Sequence, residues 1–272
     1  MRTRMSYDHV KFSVEDGIGH LILARDDTRN ALTVGGLVEE VLDVFERVET
    51  GSDARVLVIS AEGKAFSAGG NLREILDPDG PYGGTSPEIQ KKYVHGIQRL
   101  PKALHLLNVP TIAAVQGPAI GAGCDFALFC DLTLASTEAQ FSAAFINLGL
   151  IPGDGGAWIL PRMVGVQRAA ELMLTGRTVG GKEAQKIGLA LECLEPDALL
   201  PRAFELARRI ASRPAVAVRF LKILMRQAHS AGLDEMLDSS SVLQSICHKT
   251  DDHHEAITAF LEKRKPKPFT GM

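Results

Sequence analysis

No stretch of this 272-residue chain offers eighteen uninterrupted apolar residues, so a membrane-spanning helix is not expected. The opening residues, 1–10, hold charge but no apolar core, and no secretory signal is expected there. Positive charge is not in surplus: the formal net charge is -3, which argues against the basic footprint of a nucleic-acid partner. The four cysteines, Cys124, Cys130, Cys193 and Cys247, form no CxxC pair and no metal-ligand spacing. They read as reduced, buried thiols of a cytoplasmic protein. Also missing are the dinucleotide fingerprint GxGxxG and a Gly-Lys-Ser/Thr phosphate loop, so the glycine turns described below serve another purpose. What remains, 45% hydrophobic and 23% charged residues, is the composition of a water-soluble protein long enough to bury a large core.

The chain is organised around Thr111–Ala135. Thr111–Val115 reads as a strand buried on both faces, followed by a glycine-rich turn, a short buried helix over about 122–129, and a second strand over 132–135. One carboxylate, Asp125, stands in the first turn of that helix. Gly121 and Gly123 let the backbone approach a neighbour closely, and the amides of the turn lack intrahelical partners. Such a turn can polarise a carbonyl oxygen beside an acid. The bland alternative is that Asp125 complements the helix dipole and the glycines only make the turn. Apolar neighbours Phe126, Leu128 and Phe129 should raise the acid's pKa while the helix N-terminus lowers it, and the residues do not rank these effects.

An earlier stretch repeats the construction. Arg55–Ser60 is a buried strand leading into Gly63-Lys-Ala-Phe-Ser-Ala-Gly-Gly-Asn-Leu-Arg-Glu-Ile75, where glycines open a helix. Residues 8–14 and 18–24 alternate as a hairpin, and 34–49 carries helical apolar spacing. The Pro- and Gly-rich segment 77–87 reads as a lid or pocket rim, or else as an idle surface loop. Helices are expected over 88–107, from about 156 through 174, and over 182–187 and 201–212, with a strand at 189–193. A third glycine cluster, Ile151-Pro-Gly-Asp-Gly-Gly156, contains Asp154. Beyond Pro214 the pattern is helical throughout (215–228, 232–247, 252–263), which divides the chain into a core over 1–212 and a helical region over 213–272. His248, Asp251, Asp252, His253 and His254 match no strong metal spacing. They read instead as a helix start, capped by Thr250 or by Asp252 with Glu255.

The two glycine turns, the Arg29-Asn-Ala-Leu32 segment and Leu148-Gly-Leu-Ile-Pro-Gly-Asp-Gly-Gly156, in this order, resemble the crotonase superfamily, the enoyl-CoA hydratase/isomerase group. The resemblance runs from about residue 10 to 264. It implies an α/β fold, a crotonase-like spiral of repeated ββα units, with a C-terminal helical trimerisation region. It implies a homotrimer or a hexamer made as a dimer of trimers, and an acyl-CoA thioester as substrate in fatty acid metabolism. Coenzyme A is then part of the substrate, with no metal and no other cofactor. Carried over by position, the oxyanion hole falls on the backbone N–H groups of Gly70 and Ala122. Ala68, Leu72 and Arg73 match the segment along the adenine and pantetheine, and Arg29 a basic residue near the phosphates. Phe260 and Lys263 match residues that close over coenzyme A, often from a neighbouring subunit.

Family hydratases hold a water between two glutamates. Here those positions carry Asp125 and Phe145, and a phenyl ring neither transfers a proton nor anchors water. Related isomerases pair an aspartate at the first position with one in the Ile-Pro-Gly segment. In this chain Gly153 occupies that second place and Asp154 follows it, a candidate for the acid or for the N-cap of the next helix. The expected activity is hydration, dehydration or double-bond migration of an enoyl-CoA through an enolate, with an apolar or aromatic acyl group against Phe145. The rival expectation, favoured by Phe145, is an inactive member that binds acyl-CoA or serves as a scaffold.

Overall fold

The computed structural model describes residues 7–33, 35–51, 53–80 and 82–271. Val34, at the start of the first expected helix, and Pro81, inside the expected rim segment, lie outside the described residues. The chain opens with β1 (Val10–Glu15) and β2 (Ile18–Leu23), paired antiparallel around Asp16 and Gly17. Both turn residues have positive φ, 49° and 76°, as a two-residue hairpin that follows the strand twist demands. Helix α1 (Leu37–Thr50) buries Leu37, Val41, Val44, Phe45 and Val48 along one stripe. Then come β3 (Val56–Ala61), α2 (Leu72–Leu76), α3 (Ser86–His95) and α4 (Arg99–Leu106). The central stretch supplies β4 (Thr111–Val115), β5 (Pro118–Ile120), α5 (Ala122–Leu128), β6 (Leu132–Ser136) and β7 (Gln140–Ser142). After it follow α6 (Gly156–Val164), α7 (Val166–Thr175), β8 (Val179–Gly180), α8 (Gly181–Ile187), β9 (Glu192–Leu194) and α9 (Pro196–Ala211). Helices α10 (Ala215–Gln227), α11 (Leu233–Cys247) and α12 (Asp251–Leu261) form the C-terminal helical region.

The main sheet has the order β1-β2-β3-β4-β6-β9, parallel except for β1. Both faces are covered, which explains the unbroken apolar runs of its central strands. Val56, Val58, Ile112, Ala114 and Leu134 pack with Leu199, Ala203 and Ala207 of α9. The alternate residues Leu57, Ile59, Ala113, Val115 and Ala135 join the larger core with α1, α4 and α5. A smaller sheet, β5-β7-β8, stands beside it.

Several expected boundaries shift for identifiable reasons. The expected helix over 88–107 is two helices, because Gly96 leaves helical space (φ -108°, ψ -114°) and Pro101 fits only the first turn of a new helix. The expected helix through residue 174 divides at Gly165. The last strand lies at 192–194 rather than 189–193, and α9 starts earlier than expected, at Pro196. The turn between β4 and α5 contains β5, too short to show a periodicity. At the start of α12, Thr250 accepts from the His253 N–H. Asp252 is not the cap: its carboxylate takes the Thr270 and Gly271 N–H groups instead, and Glu255 pairs with Arg264.

Helix α10 is fastened to the sheet by an ion pair between buried Lys222 and solvent-accessible Asp131 that is absent from any sequence pattern. Lys222 Nζ lies 2.7 Å from Asp131 Oδ2 and donates to the Val109 carbonyl. The same carboxylate oxygen accepts from the N–H and hydroxyl of Thr111. Removing one partner of such a pair strands the other charge. Asp131→Ala is therefore expected to cost about 3 kcal/mol in urea unfolding. Lys222→Met should cost less, since Asp131 keeps both Thr111 donors and some access to water.

Candidate active site

The two glycine bends meet. Ser67, after β3, forms a parallel bridge with Ala119 of β5, its N–H donating to the Pro118 carbonyl and its own carbonyl accepting from Ile120. Gly69 (φ 79°) is pressed against the second bend. A Cβ there would lie 2.3 Å from the Ile120 oxygen and 3.1 Å from the Ala122 nitrogen, so only glycine allows this approach. Asn30, fully buried with φ 54°, braces the first bend from below. Its amide donates to the Glu62 and Ala65 carbonyls, and its own carbonyl accepts from Ser67 Oγ. Sequence reading placed Asn30 within a motif but assigned it no task; an Asn in a polar loop, tolerant of positive φ, was the available signal. Among the described residues, no protein acceptor receives the N–H of Gly70 or of Ala122, the first residue of α5.

Asp125, one turn further along α5, is 1% exposed. Its Oδ2 accepts the Gly156 N–H at 2.9 Å, while Oδ1 has no hydrogen-bond partner among the described residues. Any side chain at Gly156 would collide with this carboxylate, a built Cβ lying 2.4 Å from Oδ1. Asp154 is 6% exposed, and its Oδ1 is likewise unpartnered. It does not cap α6: Gly155 holds the N-cap position with no side-chain bond, and the oxygen at that helix start comes from Asp125. The competition at Asp125 is thus decided for burial. Desolvation, then the charge of Asp154, push its carboxyl up to about 8 against the smaller pull of the Gly156 N–H. Desolvation raises Asp154 to about 6.

The remaining expected residues fall into separate groups. The Arg29 carbonyl accepts the Ala68 N–H, and the Gly69 carbonyl accepts that of Leu32, so this loop and the first bend share a rim. Leu72 and Arg73 lie exposed in the first turn of α2, capped by Asn71. The Phe145 ring lies over Gly121, its Cζ 3.6 Å from where a Cβ would stand. Tyr93 of α3 packs against Gly153 and under Tyr82, with ring centroids 5.0 Å apart. Lys92 holds the 77–85 segment by donating to the Gly80 and Gly83 carbonyls. That segment therefore forms a rim pinned to α3. Burial raises both tyrosine hydroxyls, with smaller contributions from neighbouring negative charge. Phe260 and Lys263 are not in the group. Phe260 lines a cavity with Asp16 and Arg55 at the amino end of β3, opposite the end from which the first bend leaves.

A carboxyl whose folded pKa lies above its unfolded value binds more protons in the native state. Stability is then lost as pH rises. Because Asp125 and Asp154 are both raised from 3.8, to about 8 and about 6, the loss should extend from about pH 4 to pH 8. Asp125→Asn, of equal shape, should melt near the wild-type temperature at pH 4 and progressively above it towards pH 8. A constant gap between the two melting curves across that range would contradict this.

The family model for enoyl-CoA hydratase/isomerase matches residues 13–271. The 1,2-epoxyphenylacetyl-CoA isomerase of Escherichia coli K12 is 33% identical over 259 residues, covering 95% of this chain and 97% of that protein. The 2,3-dehydroadipyl-CoA hydratase of the same organism is 34% identical, covering 90% and 92%. Among solved structures, the enoyl-CoA hydratase of Bacillus anthracis superposes with a TM-score of 0.90 at 29% identity, over 97% of this chain and 100% of that one. An enoyl-CoA hydratase/isomerase of Cupriavidus metallidurans CH34 gives 0.87 at 34% identity, over 98% of each. With its parallel sheet, apposed glycine bends and C-terminal helices matched end to end, this chain belongs to the enoyl-CoA hydratase/isomerase family and has the crotonase fold.

Proposed function

We propose that the protein is an enoyl-CoA isomerase, moving a double bond between C3 and C2 of an acyl-CoA thioester. The observation that carries this reading is the pair of buried carboxyls with unlike pKa values beside the apposed bends. At pH 7 Asp125 keeps its proton and Asp154 is mostly ionised, the division of labour that an acid and a base require. The thioester oxygen accepts the N–H groups of Gly70 and Ala122, which stabilise an enolate; each such donor is worth about 3 kcal/mol. The Asp154 carboxylate takes a proton from C2. The freed electron pair moves onto the thioester oxygen, giving an enolate conjugated with the C3–C4 double bond; as the carbonyl re-forms, the C2–C3 double bond forms and the C3–C4 pair takes the Asp125 proton at C4. Asp125 is left ionised beside protonated Asp154, and the higher pKa of Asp125 draws the proton back. In the reverse direction the roles exchange.

Phe145 and the burial of both carboxyls favour this over hydration, because a phenyl ring against Gly121 offers a water no acceptor. Among relatives, one is a trans-2-decenoyl-[acyl-carrier-protein] isomerase and another a 2,3-dehydroadipyl-CoA hydratase, so both kinds of activity occur at this degree of likeness. Arg29, Ala68, Leu72 and Arg73 then follow the coenzyme A part of the substrate along the shared rim. Phe260, at the far end of β3, and Lys263, three residues after it, reach a thioester only from a second copy, in keeping with a homotrimer or a hexamer of this chain.

Assaying trans-3-hexenoyl-CoA isomerisation beside crotonyl-CoA hydration separates the two reactions, with isomerisation expected to dominate. Asp125→Asn should lower turnover by about 10²–10⁴-fold, the usual contribution of a positioned acid or base. Full turnover in that variant would remove Asp125 from the mechanism. In the wild type, kcat/KM should rise with pH through about 6, as Asp154 ionises, and fall above about 8, as Asp125 loses its proton. A profile flat between pH 5 and 9 contradicts the paired roles.

A further inference from the structure

Asp154 borders a cavity of about 570 Å3 whose walls include Pro101, His105, Phe129, Pro152 and Trp158, with Gln98 and Lys102 among the polar side chains beside them. Trp158 and Phe129 lie nearly parallel, 8° between planes and 5.9 Å between centroids, and His105 meets the indole edge-on at 5.2 Å. The wall is preformed. Arg162 lies over the indole at 4.1 Å, His229 abuts it at 5.5 Å, and the Gly155 backbone is pressed so closely on Phe129 that a Cβ would stand 2.7 Å from the ring.

The cavity also lies along the path a substrate would take. Ala122, Asp125 and Phe129 follow one another at intervals of three and four residues, on one face of α5 and its last turn. Seven residues at about 1.5 Å each place the Phe129 backbone roughly 10 Å along the helix axis from that of Ala122, with its side chain leaning back towards Asp125. A thioester held at Ala122 with C2 to C4 beside Asp125 therefore directs the remainder of its acyl group at Phe129 and Trp158. The carboxylate of Asp154, nine-tenths buried and with one oxygen unpartnered among the described residues, lines this cavity and lies within electrostatic reach of Asp125.

We infer that this cavity is an aryl slot, and that the preferred substrates are CoA thioesters whose acyl group ends in an aromatic ring. The inference rests on the thioester reading above. Walls that carry two aromatic rings and two prolines suit a third ring, which gains edge-to-face contact with them in addition to the area it buries; an alkyl tail gains area alone. Phe145, over Gly121, belongs to the bend and lies outside this wall.

Trp158 is the single tryptophan of the chain, so its emission reports on the slot without a label. The test titrates the full-length protein with 3-phenylpropionyl-CoA and with butyryl-CoA, two inert thioesters that differ in the terminal ring. The expected result is binding at least about tenfold tighter for the aryl thioester, with a saturable change in Trp158 emission that butyryl-CoA does not produce. Equal affinities, or aryl binding with unchanged emission, overturn the slot and leave the thioester site standing. Failure of both compounds to bind overturns the thioester reading as well. Emission that follows protein concentration but not ligand assigns the wall to contact between copies, and also overturns the inference.

Discussion

A carboxyl group held away from water with a single N–H for company is the constraint on which this site depends. One oxygen of Asp125 accepts from the Gly156 N–H, and the other has no hydrogen-bond partner among the described residues. Full ionisation there would require a counter-charge, and the nearby charged group is instead another carboxylate. The group therefore holds its proton to an unusually high pH. The same hydrogen bond joins the first turn of α5 to the start of α6, so the acid and the loop carrying Asp154 are placed by one contact. Stability is given up at this point: two buried acids that resist ionisation are tolerated because the sheet and its flanking helices supply the rest of the folding energy.

The bends depend on a different kind of contact, backbone against backbone. Gly69 lies against Ile120 and Ala122, and a Cβ at Gly123 would stand 2.5 Å from the Ser67 oxygen. The first bend is held from below by the Asn30 amide and the Ser67 hydroxyl, the second by the Gly121 N–H donating to Ser142. Because the bends interlock, the Gly70 and Ala122 amides are set by the fold rather than by a ligand. That kind of preorganisation is what oxyanion stabilisation requires.

Much of this was legible from residues alone. The unbroken apolar runs of β3 and β4 announced strands covered on both faces, and the alternating segments 8–14 and 18–24 announced the hairpin. The two strand–turn–helix repeats pointed to paired bends with Asp125 beside one of them. What stayed hidden has physical reasons. Three residues of β5 are too few to carry a period, and their pairing with β7 lies in three dimensions. The Lys222–Asp131 pair joins residues ninety-one apart, each of which alone reads as a solvated charge. The balance between desolvation and helix N-terminus at Asp125 depends on how completely neighbouring elements close over it, which no spacing records. Trp158 and Phe129 read as ordinary apolar positions until α6 set their rings parallel.

The displaced aspartate shows how a local rule is overridden by packing. A carboxylate moved by one residue at the start of a helix is readily satisfied as an N-cap, which would turn it out of the site. In this chain that position is already taken: Gly155 occupies the N-cap with φ 103°, and the Asp125 carboxylate takes the Gly156 N–H. Meanwhile the Tyr93 ring fills the space over Gly153 in which the side chain of that residue would have stood. Asp154 is left buried within electrostatic reach of Asp125, Tyr82 and Tyr93. Tyr93, from another helix, thus occupies the space beside Gly153 while the carboxylate at 154 stays buried. The second acid is retained in an arrangement that the linear order of residues argues against.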